Sequence, residues 1–284
     1  VDLAWIADPA REFPIVIDPT TTLRMSLPDD TFVAAGGAAD RAGMTELWAG
    51  TPSNPFLNSQ TAGYMHFCVG PNNFPDPCGG NLPPWHGGRV VAAALDMYAI
   101  GWDPSYSTCG NRGLGVYRVL QSWEGHSMQG WPGATPSGEK SWNVVSCDPG
   151  WNSWDVSAWV QSWTYNAARN PSPLADFGVT LRVDAGSEND PSAFRRFFSA
   201  DAPSGFGDVR PRLRVVWSPY GAEYSNVGAA SVSATQPGSV PVTITNTGKD
   251  TWFAGGGTPT RAGYYLIQNN QVVYRDATPT ALPY

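Results

Sequence analysis

The chain has 284 residues, of which 42% are hydrophobic and only 14% charged, against a usual charged share of about 25%. Its 17 Lys and Arg against 24 Asp and Glu give a net charge of −7, a surface that repels a phosphate backbone unless basic residues cluster. Gly 31 and Pro 26 favour many turns, which excludes an architecture of long helices.

The N-terminal "VDLAWIADPAREFPIVIDPT" lacks the basic flank, apolar run and cleavage site of a leader, and no apolar run reaches the ~20 residues of a membrane helix. No direct membrane insertion is expected. The abrupt start, and an end at "ALPY" without a cap, read as a piece of something larger. "FPIVID", residues 13 to 18, is one β-branched strand closed by Pro19, so residues 1–24 form an entry segment or the last strand of a preceding unit.

From Asp30 onward, strand-like runs recur between turn clusters: "DTFVA", "TELWAG", "GYMHFCV", "VVAAALDMYAI", "GLGVYRVL", "SWNVVSC", "DFGVTLRVD", "RRFFSAD" and "RPRLRVVW". Val179, Leu181 and Val183 share one face, and Thr180 and Arg182 the other. Leu213, Val215 and Trp217 alternate with Arg212, Arg214 and Val216. Such period-two patterning marks half-buried antiparallel strands. Residues 25–222 are therefore expected to form an all-β, antiparallel jelly-roll β-sandwich. The densest basic positions, Arg195, Arg196, Arg210, Arg212 and Arg214, fall in these strands without an RNA-binding signature, so nucleic acid is not an expected partner.

Four cysteines, Cys68, Cys78, Cys109 and Cys147, include no C-x-x-C pair, and the three histidines, His66, His86 and His126, have no H-x-x-x-H spacing. Two disulfides fit this set better than a metal and imply an oxidising, extracellular setting; four buried thiols are the alternative. A Cys68–Cys78 bridge would close the first half of the Pro/Gly-rich loop at residues 69–88, leaving Cys109 and Cys147 to tie the middle of the chain, although four cysteines permit three pairings.

"WNSWDVSAWVQSW" places Trp151, Trp154, Trp159 and Trp163 within thirteen residues. Trp154 and Val156 share one face of a short strand. Positions 156, 159, 160 and 163 then form the stripe of an amphipathic helical turn, with Asp155 or Ser157 as its cap. Trp159, Val160 and Trp163 are expected in the core, and Trp151 is the most exposed of the rings. After "RVVWSPYGAEY" the composition changes. "VPVTIT" alternates at Val240, Val242 and Ile244 before a turn at Asn246–Thr247–Gly248, so residues 223–284 read as the start of an immunoglobulin-like domain, incomplete at about 60 residues.

Little in the chain suggests catalysis. Asp103, Glu124, Glu139 and Asp148 are loop carboxylates without a motif, no G-x-S-x-G elbow exists, and His126 is a loop histidine. The expectation is no enzyme and no cofactor, with one exception. "DAGSENDPS" offers Asp184, Glu188 and Asp190 as oxygen ligands for calcium, in a spacing unlike an EF-hand and equally that of an acidic hairpin tip. For a sugar, Trp85, Trp102, Asp103, Tyr106, Asn111 and Arg112 supply loop aromatics beside polar groups; loop packing is the competing account.

The segments "DDTFVAAGG", "TELWAG", "GYMHF", "GVYRVLQSW", "WDVSAWVQSW", "FGVTLRV", "RRFFSAD" and "RPRLRVVW", taken in this order, resemble the landmarks of the DNRLRE-domain family over residues 28 to 218. "FPIVIDPT", and the pair "STCGNRG" and "VSCDPGWNSWDV", resemble the version found in large secreted, wall-associated bacterial proteins of the RHS/YD-repeat type, where the two cysteine segments look like disulfide partners. The resemblance implies a non-catalytic β-sandwich module, with polysaccharide or neighbouring domains of the same chain as partners. "NPSPLAD" and "SMQGWPGATPSGEKSW" depart from the family's pattern, so a ligand does not carry over. The expectation is thus a secreted, carbohydrate-binding or spacer module, with a glycan-active enzyme the weakest alternative.

Overall fold

A computed structural model describes residues 20–21, 29–36, 39–53, 59–67, 69, 86–101, 109–128, 130–164, 173–184, 186–203, 205, 208–218, 221–225, 243–248, 261–262, 265–268, 271–275 and 280–281. In chain order the first eleven strands are β1 (Thr20–Thr21), β2 (Asp29–Ala34), β3 (Glu46–Ala49), β4 (Thr61–His66), β5 (Arg89–Gly101), β6 (Arg112–Val119), β7 (Pro136–Val145), β8 (Gly150–Asp155), β9 (Val179–Val183), β10 (Arg195–Phe198) and β11 (Arg212–Ser218). A single helix among the described residues, α1 (Ser157–Trp163), follows β8. "FPIVID" lies outside the described residues.

The period-two runs pair into two antiparallel sheets. One has five strands in the order β2-β4-β9-β6-β7. The other has the order β1-β11-β5-β10-β3, with β8 also on β5. Strand β5 organises the second sheet. Asp96 pairs with Arg212 on one edge and Ser153 on the other, and Ala99 with Phe197 and Gly150, so β11 and β10 follow one another along the edge opposite β8. An all-β, antiparallel fold is what the alternation predicts, and it is what forms.

The inward faces meet in one core. Leu47, Leu95, Met97, Phe197, Leu213 and Val215 come from the six-stranded sheet, and Met65, Leu114, Val116, Val179, Leu181 and Val183 from the five-stranded one. Trp154 is buried among them. Its indole N–H donates to the Leu114 carbonyl of the opposite sheet at 3.0 Å, and its ring meets Phe197 edge-on at 6.1 Å. The expected stripe also holds. Trp159, Val160 and Trp163 are buried on one side of α1, whereas Trp151 is 41% exposed. The N-cap is Val156, without a side-chain cap, rather than Asp155 or Ser157; Asp155, one residue before it, accepts from the Ser157 amide (2.9 Å) and hydroxyl (2.5 Å).

Two features depart from the sequence pattern. Strand β7 begins at Pro136, five residues before "SWNVVSC", so "GEKSW" is strand. Thr180, on the nominally polar face of β9, is fully buried and donates to the Gly63 carbonyl at 2.9 Å. The cause is the connection from β6 to β7, which folds back over the outer face of the five-stranded sheet. It brings Trp123, Met128 and Trp131 against Val33, Ala62, Tyr64, Val119 and Ala134 to build a second, smaller core. The Tyr64 hydroxyl lies 2.8 Å from the Pro132 carbonyl, and Trp123 donates to the Phe177 carbonyl at 2.7 Å. Gly178 turns beneath this layer at φ 74°, where an added Cβ would stand 2.1 Å from the Met65 carbonyl oxygen.

Cys109 and Cys147 form a disulfide across 38 residues of sequence, joining the chain just before β6 to the chain just after β7. Cys68 and Cys78 lie outside the described residues. Beyond residue 221, β12 (Ala222–Ser225) pairs with β13 (Thr243–Asn246), β14 (Arg261–Ala262) with β17 (Thr280–Ala281), and β15 (Tyr265–Gln268) with β16 (Gln271–Arg275), all antiparallel. At the expected Asn246–Thr247–Gly248 turn, the Gly248 amide donates to the Asn246 side chain at 3.0 Å.

Removing the Trp159 ring leaves a void between α1 and the sheets. Trp159→Ala is expected to cost ~3–5 kcal/mol, read as a lower urea midpoint at unchanged m-value. A midpoint within error of wild type would place the ring in solvent. The Asp30 carboxyl, buried on β2 and accepting from the Ala200 amide at 2.7 Å, is pushed up to about 7 by burial, with the charges of Asp201 and Asp29 acting in the same direction. The folded chain then holds a proton that the unfolded chain releases near pH 4, so stability falls as pH rises from about 4 to about 7. Asp30→Asn should flatten this slope in denaturant titrations across that range, and a slope as steep as wild type would locate the titration elsewhere.

Candidate functional site

Of the residues that the sequence offers for a sugar, the structure describes Asn111 and Arg112. Trp85, Trp102, Asp103 and Tyr106 lie outside the described residues. Asn111 is exposed, but Arg112 is engaged, its guanidinium on Asp190 at 3.2 Å and on the Ser192 hydroxyl at 3.2 Å. Of the three acids suggested for calcium, Asp184 and Asp190 have separate side-chain tasks and Glu188 is engaged through its main chain. Asp184 holds Lys140 and the Trp142 indole N–H (2.6 Å). Asp190 accepts from the Ser192 amide at 2.9 Å and starts a 3-10 turn. The Glu188 carbonyl accepts from the Thr51 hydroxyl. Among the described residues no group of three or more His, Cys, Asp or Glu is arranged to hold a metal ion.

Nor do the described arginines make an open basic patch. Arg195 is buried and bonded to main-chain carbonyls. Arg196 pairs with Glu46, and Arg214 forks onto Asp96 with two bonds of 3.1 Å. Arg212 stacks 3.8 Å above the Trp151 ring, with its Nε 3.8 Å from Asp96.

Two histidines approach one partly buried carboxyl. His66 at the end of β4 is buried, 3.7 Å from Asp176, and pairs in register with Asp29 of β2. Asp29 accepts from the Gly125 amide at 2.7 Å, and burial raises its pKa against that bond. His126 stands exposed, 2.9 Å from Asp40, whose hydrogen bond holds the imidazole above its ordinary pKa. The buried ring and the solvated ring are each committed to their own carboxylate, so they do not flank a cleft as an acid and base pair must. Glu139 and Asp155 do share a cleft, between β7 and the start of α1, with Lys140, Ser141, Ser157 and Trp159. There the Ser157 hydroxyl and amide bind Asp155 and hold its pKa low.

The most organised open surface lies on the outside of the five-stranded sheet, in the half that the β6–β7 connection leaves uncovered. Register places three rows of three residues side by side. Lys140, Tyr117 and Thr180 form the first row, whose Thr180 end runs under the connection and is buried, and Trp142, Gly115 and Arg182 the second. In the third, Gly113 lies opposite Val144, and its carbonyl accepts from the Asp184 amide at 3.3 Å. The two glycines at the centre leave the strand without side chains, and the rings fill that space. A Cβ on Gly113 would stand 2.3 Å from the Trp142 indole nitrogen, and one on Gly115 would stand 2.7 Å from the Tyr117 ring. Tyr117 and Trp142 thus lie directly over the backbone of β6.

This shelf is aromatic, open and flanked by cations. Trp142 is 51% exposed, more than any other large apolar side chain among the described residues, and Val144 beside it is 44% exposed. Its outer end is fixed by Asp184, which joins Lys140 to the Trp142 indole. At the other side Arg182 lies 5.3 Å from the Trp131 ring centre and donates to the Tyr64 hydroxyl (2.6 Å) and the Pro132 carbonyl (2.7 Å). Sequence reasoning passed over these residues. The signal was the G-x-G-x-Y step in "RGLGVYR", a strand with alternate side chains missing, which becomes meaningful only beside K-x-W-x-V and T-x-R-x-D.

No family model matches the chain. Over 170 residues, 59% of its length, it is 28% identical to the tRNA3(Ser)-specific nuclease WapA of Bacillus spizizenii. The chain spans about 7% of the length of that curated relative. This finding corrects the expectation of a non-catalytic carbohydrate-binding or spacer module: the activity of the matching protein is directed at a tRNA. The geometry gives the sugar reading no support either, since Arg112, one of its two described residues, is already occupied by Asp190 and Ser192.

Proposed function

We propose that the chain is a segment of a large nuclease polypeptide directed at tRNA, and that its described β-sandwich contributes to that activity by holding RNA. The observation that carries this reading is the 170-residue similarity to a tRNA-specific nuclease, in which this segment corresponds to about 7% of the whole. The outer shelf supports it. Trp142 and Tyr117 present π-faces, and Lys140 and Arg182 stand beside them, the combination of stacking surface and cation that nucleic acid uses. The net charge of −7 bears on the strength of such binding rather than its existence, because stacking is little affected by distant charge.

The test uses the complete polypeptide that contains this segment. It is expected to cleave tRNA in a purified system, with the cleavage site read by primer extension. Internal deletion of residues 29–218 is expected to raise KM for tRNA about tenfold or more while leaving kcat nearly unchanged, the signature of lost binding that the substrate and transition state share. A complete polypeptide that leaves tRNA intact would overturn the nuclease reading. A deletion that leaves KM unchanged would remove the sandwich from RNA handling.

A further inference from the structure

Resting on that reading, we infer that the shelf over Gly113 and Gly115 is a stacking site for single-stranded RNA, with Trp142 and Tyr117 as its two base platforms and Lys140 and Arg182 as its phosphate contacts.

Shape comes first. Three neighbouring strands spaced about 4.8 Å apart give a face about 10 Å across, and three rows of same-face residues extend it about 14 Å along the strands. Such a strip suits two or three unstacked bases but does not follow the curved backbones of a duplex. The glycines set how the rings are presented. Because nothing rises from β6 at positions 113 and 115, the Trp142 and Tyr117 rings lie over the strand, with Trp142 51% exposed and Tyr117 half-buried. A ring held in this way has already lost its rotamer freedom and gives up little more on stacking.

Second comes rigidity. The Trp142 indole N–H is bound to Asp184, and Asp184 is in turn bound by Lys140, so the larger ring is anchored at both its strand and its polar edge. Bases carry π-faces whatever their identity, so the site selects single strands over duplexes and shows little preference among sequences.

Third comes charge. Within the grid Lys140 and Arg182 oppose one acid, Asp184, whose oxygens already accept from Lys140 and Trp142. Two cations beside two rings place phosphate contacts at the margins of the shelf and bases at its centre. Arg196 is paired with Glu46, Arg212 and Arg214 with Asp96, and Arg112 with Asp190.

The test is fluorescence anisotropy of a labelled single-stranded 12-nucleotide oligoadenylate titrated with the 284-residue chain. Wild type is expected to bind, and the same strand in duplex to bind at least about tenfold more weakly. Trp142→Ala should weaken binding about tenfold or more, and Trp142→Phe should restore most of it. Two phosphate contacts predict a shallow salt dependence, with a log–log slope of about −1.4, which Lys140→Ala should reduce to about −0.7. Circular dichroism on each variant reports folding. A second measurement needs no variant: photocrosslinking of a 4-thiouridine strand to wild type should label peptides within 112–119 and 136–145. No binding by wild type, duplex bound as tightly as single strand, binding unchanged in folded Trp142→Ala, or crosslinks confined to other segments would each overturn the site. If tRNA cleavage by the complete polypeptide still depends on residues 29–218 while these tests fail, only this shelf is wrong. If cleavage is absent while the oligonucleotide binds as described, the nuclease reading is wrong and the shelf remains.

Discussion

A guanidinium sealed away from any carboxylate sets the geometry of this molecule. Arg195 is fully buried, and each of its five N–H groups has a main-chain acceptor: Nε the Ser146 carbonyl, Nη1 those of Ser192 and Phe194, and Nη2 those of Gly110 and Val145. Burial draws its pKa down to about 10, with the nearby Arg112 charge adding to the effect and Asp190 opposing it. An unpaired buried charge costs several kcal/mol, and five carbonyl dipoles offset that cost only while all five stay in place. Those carbonyls come from the approach to β6, the end of β7 and the turn before β10, so one side chain clamps the five-stranded sheet to the six-stranded one. The Cys109–Cys147 bond crosses the same corner and limits how far β6 and β7 can separate when the clamp opens.

That corner supports the shelf. The strands that the clamp holds together, β6 and β7, carry Gly113, Gly115, Tyr117, Lys140 and Trp142. A slip of β7 by one residue along β6 would turn Lys140 and Trp142 to the opposite face. The inward neighbours Leu114 and Val116 are packed in the main core, which makes such a slip expensive. An exposed tryptophan is therefore held in position by residues that it does not touch.

Electrostatics and burial divide the labour elsewhere. Within the sheets the cations are spent locally: Arg196 on Glu46, Arg214 on Asp96, Arg112 on Asp190. The low charge content leaves few side chains for a polar outer layer, and the β6–β7 connection supplies cover instead, laying Trp123, Met128 and Trp131 over half of the five-stranded sheet. The other half leaves Trp142 exposed and Tyr117 half-buried. Trp142 and Val144 stand exposed there, with Lys140 in the strand beside them.

The strands, the stripe of α1 and the core membership of Trp154, Trp159 and Trp163 were legible in the amino-acid order, because they follow from local periodicity: a residue's neighbours two, three or four positions away decide which way it faces. What lies on the outer faces was set instead by long-range packing. Thr180 read as solvent-facing and is buried under a distant loop; Arg195 read as one of five clustered basic residues and is an internal clamp; Gly113 and Gly115 read as gaps in a strand and are the floor of an aromatic shelf. Each of these depends on pairing between segments tens of residues apart. Alternation along a strand specifies a side, whereas register across strands specifies the neighbours, and a surface site is made of neighbours.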